Sequence, residues 1–322
     1  MKRNLQCDFC YRRCTITEGG SGWCGTRTVE RGALVSTNWA KAVSLANDPV
    51  EKKPLYHFYP AHRTLSIALF GCNFSCSFCQ NYSISQQEFQ RTRATQEIEP
   101  EALIRMAQEQ NCDSVSFTYS EPIVWLDYVL AAAALAKEAG LYTIMVTNGS
   151  FSDTSLERTL PLIDAFNVDL KGDEEFYRRV CSSSAEAPLS AIKRIAESDS
   201  HLEVTTMVNE ASHTPAMLAL LTEQLIERKV SVWHLSRYFP NYRSHDRATS
   251  EAYIDQATAD ALAAGIPFVY PGNSSLDTSS RCPVCATLLI ERRYGRFIRC
   301  TSKFQTGVCT ECGTGLWGRF PD

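Results

Sequence analysis

The run Gly71-Cys72-Asn73-Phe74-Ser75-Cys76-Ser77-Phe78-Cys79-Gln80 decides how this chain is read. Its cysteines are spaced Cys-x3-Cys-x2-Cys. They follow directly on the apolar stretch 65–70, which predicts a buried strand. Three thiolates this close suffice for three irons of a four-iron cluster, and the fourth iron is then left without a protein ligand. Clusters held by four cysteines are electron carriers; a cluster with an open iron also has a place to bind a substrate. A structural zinc site wants four ligands, and no fourth is supplied nearby.

Downstream of this run, short apolar and β-branched stretches alternate with helical ones. Strands are predicted at 65–70, 114–118, 143–147, 165–169, 202–208, 230–235 and 267–270, and helices at 99–110, 123–139, 189–196, 214–228 and 250–264. That alternation predicts an α/β fold with a parallel sheet covered by helices. Barrels and open sheets of this kind both bind ligands at the carboxyl ends of their strands. Polar residues recur at those ends: Glu121 in Tyr119-Ser120-Glu121-Pro122, Asn148 before Gly149, and Asp169 and Lys171 in Asp169-Leu170-Lys171-Gly172. Asp169 and Lys171 lie two apart and share one face. Each also has a bland reading. Glu121 suits a helix start, Asn148-Gly149 is an ordinary turn, and Asp169 with Lys171 makes a structural ion pair. Arg237 and Asn273, at later strand ends, are weaker candidates.

The chain has 322 residues, 44% of them hydrophobic and 21% charged, enough for a large core. A formal net charge of only −4 gives no reason to expect a nucleic-acid or anionic-membrane partner. No apolar stretch approaches the ~20 residues of a membrane span, and Met1-Lys2-Arg3-Asn4 opens no apolar signal region. A soluble cytoplasmic protein is expected.

In a reducing compartment clustered cysteines mean metal more often than disulfides, and twelve of the fourteen here are clustered or lie beside a cluster. Cys7, Cys10, Cys14 and Cys24 offer four thiolates with Arg12, Arg13 and Arg27 to balance their charge. Zinc is the first expectation for them and an auxiliary iron–sulfur cluster the alternative. Cys282-x2-Cys285 and Cys309-x2-Cys312 are two knuckles around a strand-rich segment, 288–299, as tetrahedral zinc needs; rubredoxin-like iron fits the spacing too. Cys300 is a spare thiol. Cys112 and Cys181 are isolated and read as small buried hydrophobes.

The cysteine spacing after a strand resembles that of radical S-adenosylmethionine (SAM) enzymes. Within them the chain resembles the pyruvate formate-lyase activating enzyme relatives, and above all the radical SAM enzyme of the AmmeMemoRadiSam system. The run from Asp48-Pro49-Val50-Glu51-Lys52-Lys53-Pro54-Leu55-Tyr56-His57-Phe58-Tyr59-Pro60 carries that resemblance. Gly71-Cys72-Asn73-Phe74, Cys79-Gln80-Asn81-Tyr82, Thr118-Tyr119-Ser120-Glu121-Pro122, Val146-Thr147-Asn148-Gly149, Asn167-Val168-Asp169-Leu170-Lys171 and Glu203-Val204-Thr205-Thr206 extend it. It implies a partial (βα)6 TIM-like barrel at 61–275, a Cys-rich N-terminal metal module and connector at 1–60, and a C-terminal zinc-ribbon or rubredoxin-like module at 276–322. It further implies a [4Fe-4S] cluster on Cys72, Cys76 and Cys79, and SAM contacts from Glu121, Asn148, Asp169 and Lys171. SAM would be cleaved to a 5′-deoxyadenosyl radical that abstracts hydrogen. The expected partners are Memo-like and AMMECR-type proteins and a reductant such as flavodoxin or ferredoxin. Activation of a glycyl-radical enzyme, or a zinc-binding scaffold without redox chemistry, are the alternatives.

Three departures stand out. Ser120 replaces the second glycine of the Gly-Gly-Glu-Pro turn found in many relatives, Ala61 stands where glycine is expected, and Val146 where glycyl-radical activators carry Asp. The 48–60 run itself reads as a connector packing Tyr56, Phe58 and Tyr59 against the barrel, with His57 a satisfied structural histidine; a lid near the cluster is the other reading.

Overall fold

The computed structural model describes residues 4–88 and 94–321. The N-terminal segment has no helix. It forms two small antiparallel pairs, β1 (Asn4–Gln6) with β2 (Thr15–Thr17) and β3 (Arg27–Glu30) with β4 (Ala33–Ser36).

β5 (Lys41–Pro49) is the first strand of the central sheet and runs antiparallel to β6 (Arg63–Leu69). The expected boundary at residue 60 puts this stretch in the N-terminal module. It is instead hydrogen-bonded along its length to the strand that leads into the cysteine loop. β5 also pairs with the short edge strand β7 (Gln96–Glu97).

From β6 onward all neighbours are parallel: β8 (Ser114–Phe117), β9 (Tyr142–Thr147), β10 (Ala165–Asp169), β11 (His201–Val208), β12 (Val232–Arg237) and β13 (Phe268–Gly272). The sheet order is β13-β12-β11-β10-β9-β8-β6-β5-β7. Among the described residues nothing pairs β13 with β7, so the barrel is open.

Short α1 (Tyr82–Ser85) lies in the loop after the cysteines. One longer helix then fills each crossover: α2 (Pro100–Glu109), α3 (Leu126–Glu138), α4 (Asp153–Thr159), α6 (Glu186–Ala196), α7 (Pro215–Glu227) and α8 (Glu251–Ala264). A short α5 (Glu174–Phe176) precedes α6 and runs into a π-helical turn at Tyr177–Cys181. This is the expected partial (βα)6 barrel with a seventh parallel strand added. The parallel strands are buried nearly throughout, as in a sheet covered on both faces, although β8 and β11 carry as many polar as apolar residues. Helix starts carry their caps: Ser152 accepts from Ser155 N, Thr214 from Met217 N and Ser250 from Tyr253 N. α4 escaped the sequence reading because its seven residues, DTSLERT, show no apolar period.

At the amino ends of the strands the 48–60 run is a strap, as the connector reading expects. Tyr56, His57 and Phe58 are buried. His57 is satisfied on both ring nitrogens, with Trp317 O and the Tyr270 hydroxyl each at 2.7 Å. Ala61 takes the left-handed φ of +76° that its expected glycine would favour.

The C-terminal module follows: β14 (Ser280–Arg281), β15 (Leu288–Arg293) and β16 (Arg296–Cys300) form one sheet, and β17 (Phe304–Gln305) pairs with β18 (Val308–Cys309). It sits on the strap, where Arg292 donates to Tyr56 O at 2.6 Å and Arg319 N to His57 O at 2.7 Å. No helix among the described residues is long and apolar enough to cross a membrane.

Candidate active site

At the carboxyl ends of the parallel strands lies an open cavity of about 290 Å³. Every parallel strand sends a residue to it. The loop after β6 contributes Cys72, Cys76 and Cys79, and the turns after β8 and β9 contribute Glu121 and Asn148. Asp169 and Lys171 come from the end of β10, and Arg237 and Asn273 from the last two strands. All the strand-end residues singled out in the sequence therefore meet in one place.

The loop geometry starts at Gly71. Its φ is +114°, its N–H bonds Ile84 O at 3.1 Å, and its carbonyl accepts from Glu121 N at 3.1 Å. A Cβ here would stand 2.5 Å from Thr26 Cγ2 and 3.2 Å from Val124 Cγ2. Gly71→Ala is expected to cost about 1–3 kcal/mol through the strained backbone alone, read as a lower midpoint in denaturant, and to loosen the cysteine loop. An unchanged midpoint would show that the loop does not depend on this conformation.

Beyond Gly71, Phe74 N donates to Cys72 Sγ at 3.3 Å, and Cys79 Sγ lies 3.2 Å from Ser85 Oγ. Ser75 N and Ser77 N flank Cys76 and bond Cys181 O and Val180 O at 3.0 and 3.1 Å. Cys181, isolated in sequence, is thus not isolated in space: it is buried with its thiol against Cys76. It does not line the cavity. No three of the four thiols come close enough to share a single ion. Cys72, Cys76 and Cys79 face the opening without a fourth cysteine, which suits a multi-iron cluster with one corner free and not a lone zinc.

Tyr119 takes a left-handed φ of +67°, so the Tyr-Ser-Glu-Pro turn forms without the glycines of the expected pattern. Ser120 is fixed by bonds to Leu69 O and Trp125 Nε1. Glu121 caps the 3-10 turn Pro122–Trp125 by accepting from Ile123 N at 3.1 Å, and it does more than cap. Oε1 also accepts from the Thr147 hydroxyl at 2.6 Å, and Oε2 from Asn148 N at 2.8 Å. Burial pushes its carboxyl up to about 7 despite these donors.

Asn148 lines the cavity and is also tied to the cysteine loop. Its Nδ2 donates to Asn73 Oδ1 at 2.9 Å, and its Oδ1 accepts from Ser150 N and Oγ at 3.0 and 2.6 Å. The amide is occupied in holding the cysteine loop against β9. Lys171 Nζ lies 2.7 Å from Asp169 Oδ2. Burial alone would lower the Lys171 pKa, yet Asp169 and the neighbouring Cys76 raise it above the ordinary lysine value. Arg237 is tied to Thr249 O and Glu251, and Asn273 to Ser236 Oγ.

The cavity also exposes residues that sequence reasoning missed: Thr205, Met207, Ser236 and Phe239. Thr205 Oγ1 is buried with no hydrogen-bond partner among the described residues, a polar group awaiting a ligand. Its one sequence signal is the alternation Glu203, Thr205, Met207 along the inward face of β11.

A sequence model of the radical SAM superfamily matches residues 67–210, from the middle of β6 past the end of β11. Over 316 residues, the chain is 34% identical to an uncharacterized protein of Methanocaldococcus jannaschii, covering 96% of this chain and 94% of that one. The chain belongs to the radical SAM superfamily. A second protein of that organism, named as a candidate glycyl-radical enzyme activating enzyme, is 28% identical over 141 residues, 42% of this chain and 56% of its own. Among solved structures, Streptococcus suis SuiB bound to S-adenosylmethionine has a like fold. Its TM-score is 0.51 at 14% identity, over 63% of this chain and 48% of SuiB. Radical SAM proteins are enzymes that use a [4Fe-4S] cluster and SAM, so the scaffold alternative falls away.

At the far end of the molecule Cys282, Cys285, Cys309 and Cys312 place their sulfurs within 4.8 Å of one another. The Cys282–Cys312 and Cys285–Cys309 contacts are 3.5 and 3.6 Å. Tetrahedral bonds of about 2.3 Å put zinc-bound sulfurs roughly this far apart. Cys300 stays outside the group, exposed.

Proposed function

We propose that Cys72, Cys76 and Cys79 hold the cluster in this cavity and that SAM lies beside it, under the ends of β8 to β11. The observation that carries this reading is the meeting of three cysteines with Glu121, Asp169 and Lys171 in one cavity at the carboxyl ends of the parallel strands. Bound there, the two cofactors supply one-electron cleavage of the sulfonium and a deoxyadenosyl radical that takes hydrogen from a substrate. The chain's own part is to bind and orient. Glu121, held from behind by Thr147 and Asn148, faces the cavity with a carboxylate suited to the SAM ammonium. Lys171 can turn from Asp169 toward the SAM carboxylate, which frees Asp169 for a cation. Thr205 offers an unpaired hydroxyl. Asn148 positions the Cys72 loop. Phe74 and Phe78, both buried, keep water from the cluster wall.

Glu121→Gln should weaken SAM binding by roughly 10-fold to 100-fold, the worth of one charge-assisted hydrogen bond. In the wild type, affinity should fall as pH drops below about 7, because the neutral carboxyl cannot pair with an ammonium. Equilibrium dialysis against SAM between pH 6 and 8 reads both; a flat profile and an unaffected variant would remove Glu121 from the site.

The reaction's acceptor, on this reading, is a small molecule or a residue presented by Memo-like and AMMECR-type partners in the cytoplasm. A flavodoxin or ferredoxin supplies the electron, and zinc staples the C-terminal knuckles. The resemblance carried by the 48–60 run supports these assignments. Glycyl-radical activation is the second reading, favoured by the similarity to the activating-enzyme relative; Val146 in place of Asp speaks against it. The test is anaerobic reconstitution with iron, sulfide and dithionite, followed by product analysis with and without the two partners. Deoxyadenosine is expected in both cases and a modified partner or small molecule only with them. No deoxyadenosine from cluster-loaded protein would sink the proposal.

A further inference from the structure

Cys7, Cys10, Cys14 and Cys24 converge on a second, enclosed cavity, which Arg27 and Asn73 also line. We propose that this cavity holds an iron–sulfur cluster, not zinc, as a redox neighbour of the open-iron site. Spacing is the first argument. The C-terminal knuckles gather four sulfurs to within 4.8 Å, but no three of these N-terminal sulfurs come so close. One tetrahedral ion demands that closeness; a cubane spreads its thiolates over four irons. The free space at the centre is small, about 10 Å³. Four irons and four sulfides need more room than this, so the four cysteine side chains must turn outward to admit the cluster.

Charge and hydrogen bonding are the second argument. Arg27 is buried, and its Nε has no acceptor among the described residues. Its NH1 is spent on Ser36 and Asp127, which leaves the unpaired edge among the thiols. Trp23 N donates to Cys14 Sγ at 3.5 Å, and the Thr26 hydroxyl lies 3.2 Å from Cys24 Sγ. Such bonds to sulfur tune cluster potentials.

Position is the third. Asn73, the residue after Cys72, forms part of the wall, and Arg12 Nε grips its carbonyl at 3.0 Å. Cys14 and Cys72 open onto the same groove. One electron from a protein donor such as a flavodoxin would enter at the N-terminal cluster and pass to the open-iron cluster, oxidising the first and reducing the second, whereas dithionite is small enough to reduce the open-iron cluster directly through its open cavity. This relay rests on the radical SAM reading; occupancy of the cavity does not.

The full chain is reconstituted anaerobically, and iron, sulfide and zinc are counted. About eight iron and one zinc per chain are expected. A variant with Cys72, Cys76 and Cys79 all changed to Ala should keep about four iron and the electron paramagnetic resonance signal of a reduced [4Fe-4S] cluster. Cys10→Ala with Cys14→Ala should lose that cluster, keep the other, and still cleave SAM with dithionite. If the double variant fails to fold, the triple variant decides. Two zinc per chain, with a folded triple variant free of iron, would overturn the proposal. A wild type that carries the second cluster but makes no deoxyadenosine would count against the radical SAM reading and leave this one standing.

Discussion

Cys76→Ala is expected to reduce deoxyadenosine formation to the level of cluster-free protein, while Cys181→Ala should leave it within a few-fold of wild type. The two thiols touch, so the contrast is a sharp test of which is a ligand. Backbone bonds from Ser75 and Ser77 pin the Cys76 turn to the π-helical turn at Tyr177–Cys181. Either cysteine therefore lies close enough to matter. They differ in what they face. Cys76 lines the cavity and Cys181 lies behind it. Removing Cys76 leaves two anchors for the cluster, and the iron content of the site should fall with the activity. Removing Cys181 takes away a buried small hydrophobe, a loss of order 1 kcal/mol that the fold survives. Equal loss of activity in both variants, with both still folded, would make Cys181 a fourth ligand. The open iron on which SAM binding depends would then not exist. Anaerobic iron counts and product analysis on the two variants decide it.

Much of this site was legible because its residues sit where the backbone pattern points. Cys72, Cys76 and Cys79 announce themselves by spacing, and Glu121, Asn148, Asp169 and Lys171 by lying at the ends of apolar runs. Not all of their partners were legible. That Asn148 is spent on Asn73 and Ser150 depends on turn geometry which spacing does not fix, whereas the pairing of Lys171 with Asp169 follows from their shared face. Thr205, Ser236 and Met207 are ordinary strand residues in sequence, and only barrel curvature brings them into the cavity. Cys181 looked solitary because its contact with Cys76 spans the crossover from β6 to the turn after β10. β5 was hidden for a different reason. It is an antiparallel strand with half-buried faces, and its residues, KAVSLANDP, lack the apolar run that marks its parallel neighbours. The aromatic run 56–59 marks the strap as packing against the barrel, but no spacing in the sequence points to the side chain that holds it. Its anchor is Glu203, more than a hundred residues away.

Replacing Glu203 by Gln is expected to cost about 3–5 kcal/mol of stability and to release the C-terminal module. The carboxylate is fully buried at the amino end of the barrel and accepts four hydrogen bonds. Oε1 takes His57 N at 2.7 Å and His201 Nε2 at 2.9 Å; Oε2 takes Tyr56 N at 3.0 Å and His234 Nε2 at 2.6 Å. An ionised carboxylate is the one side-chain group that only accepts, so it alone satisfies four donors at once. A Gln amide turns one of its two ends into a donor facing donors. Breaking a buried charge arrangement of this kind carries the quoted cost.

The same cluster sets an acid limit. Burial favours the neutral carboxyl of Glu203, but its bonds to His201 and His234 win and hold it well below the usual carboxylate range. Burial also lowers His57 to about 3. In both cases the unfolded chain binds the proton more readily than the folded one, so stability falls as pH falls. The His57 contribution drains away from about pH 6.5 toward 3, and the Glu203 contribution below about 4.5. Tyr56 and His57 carry the strap on which Arg292 and Arg319 seat the C-terminal module. Loss of the anchor should therefore show first as proteolytic release of residues after the barrel, before the barrel melts. Urea denaturation from pH 7 to 4, with limited proteolysis at each step, checks the order of events. A Glu203→Gln protein with an unshifted midpoint and an intact C-terminal module would show that the strap is held elsewhere.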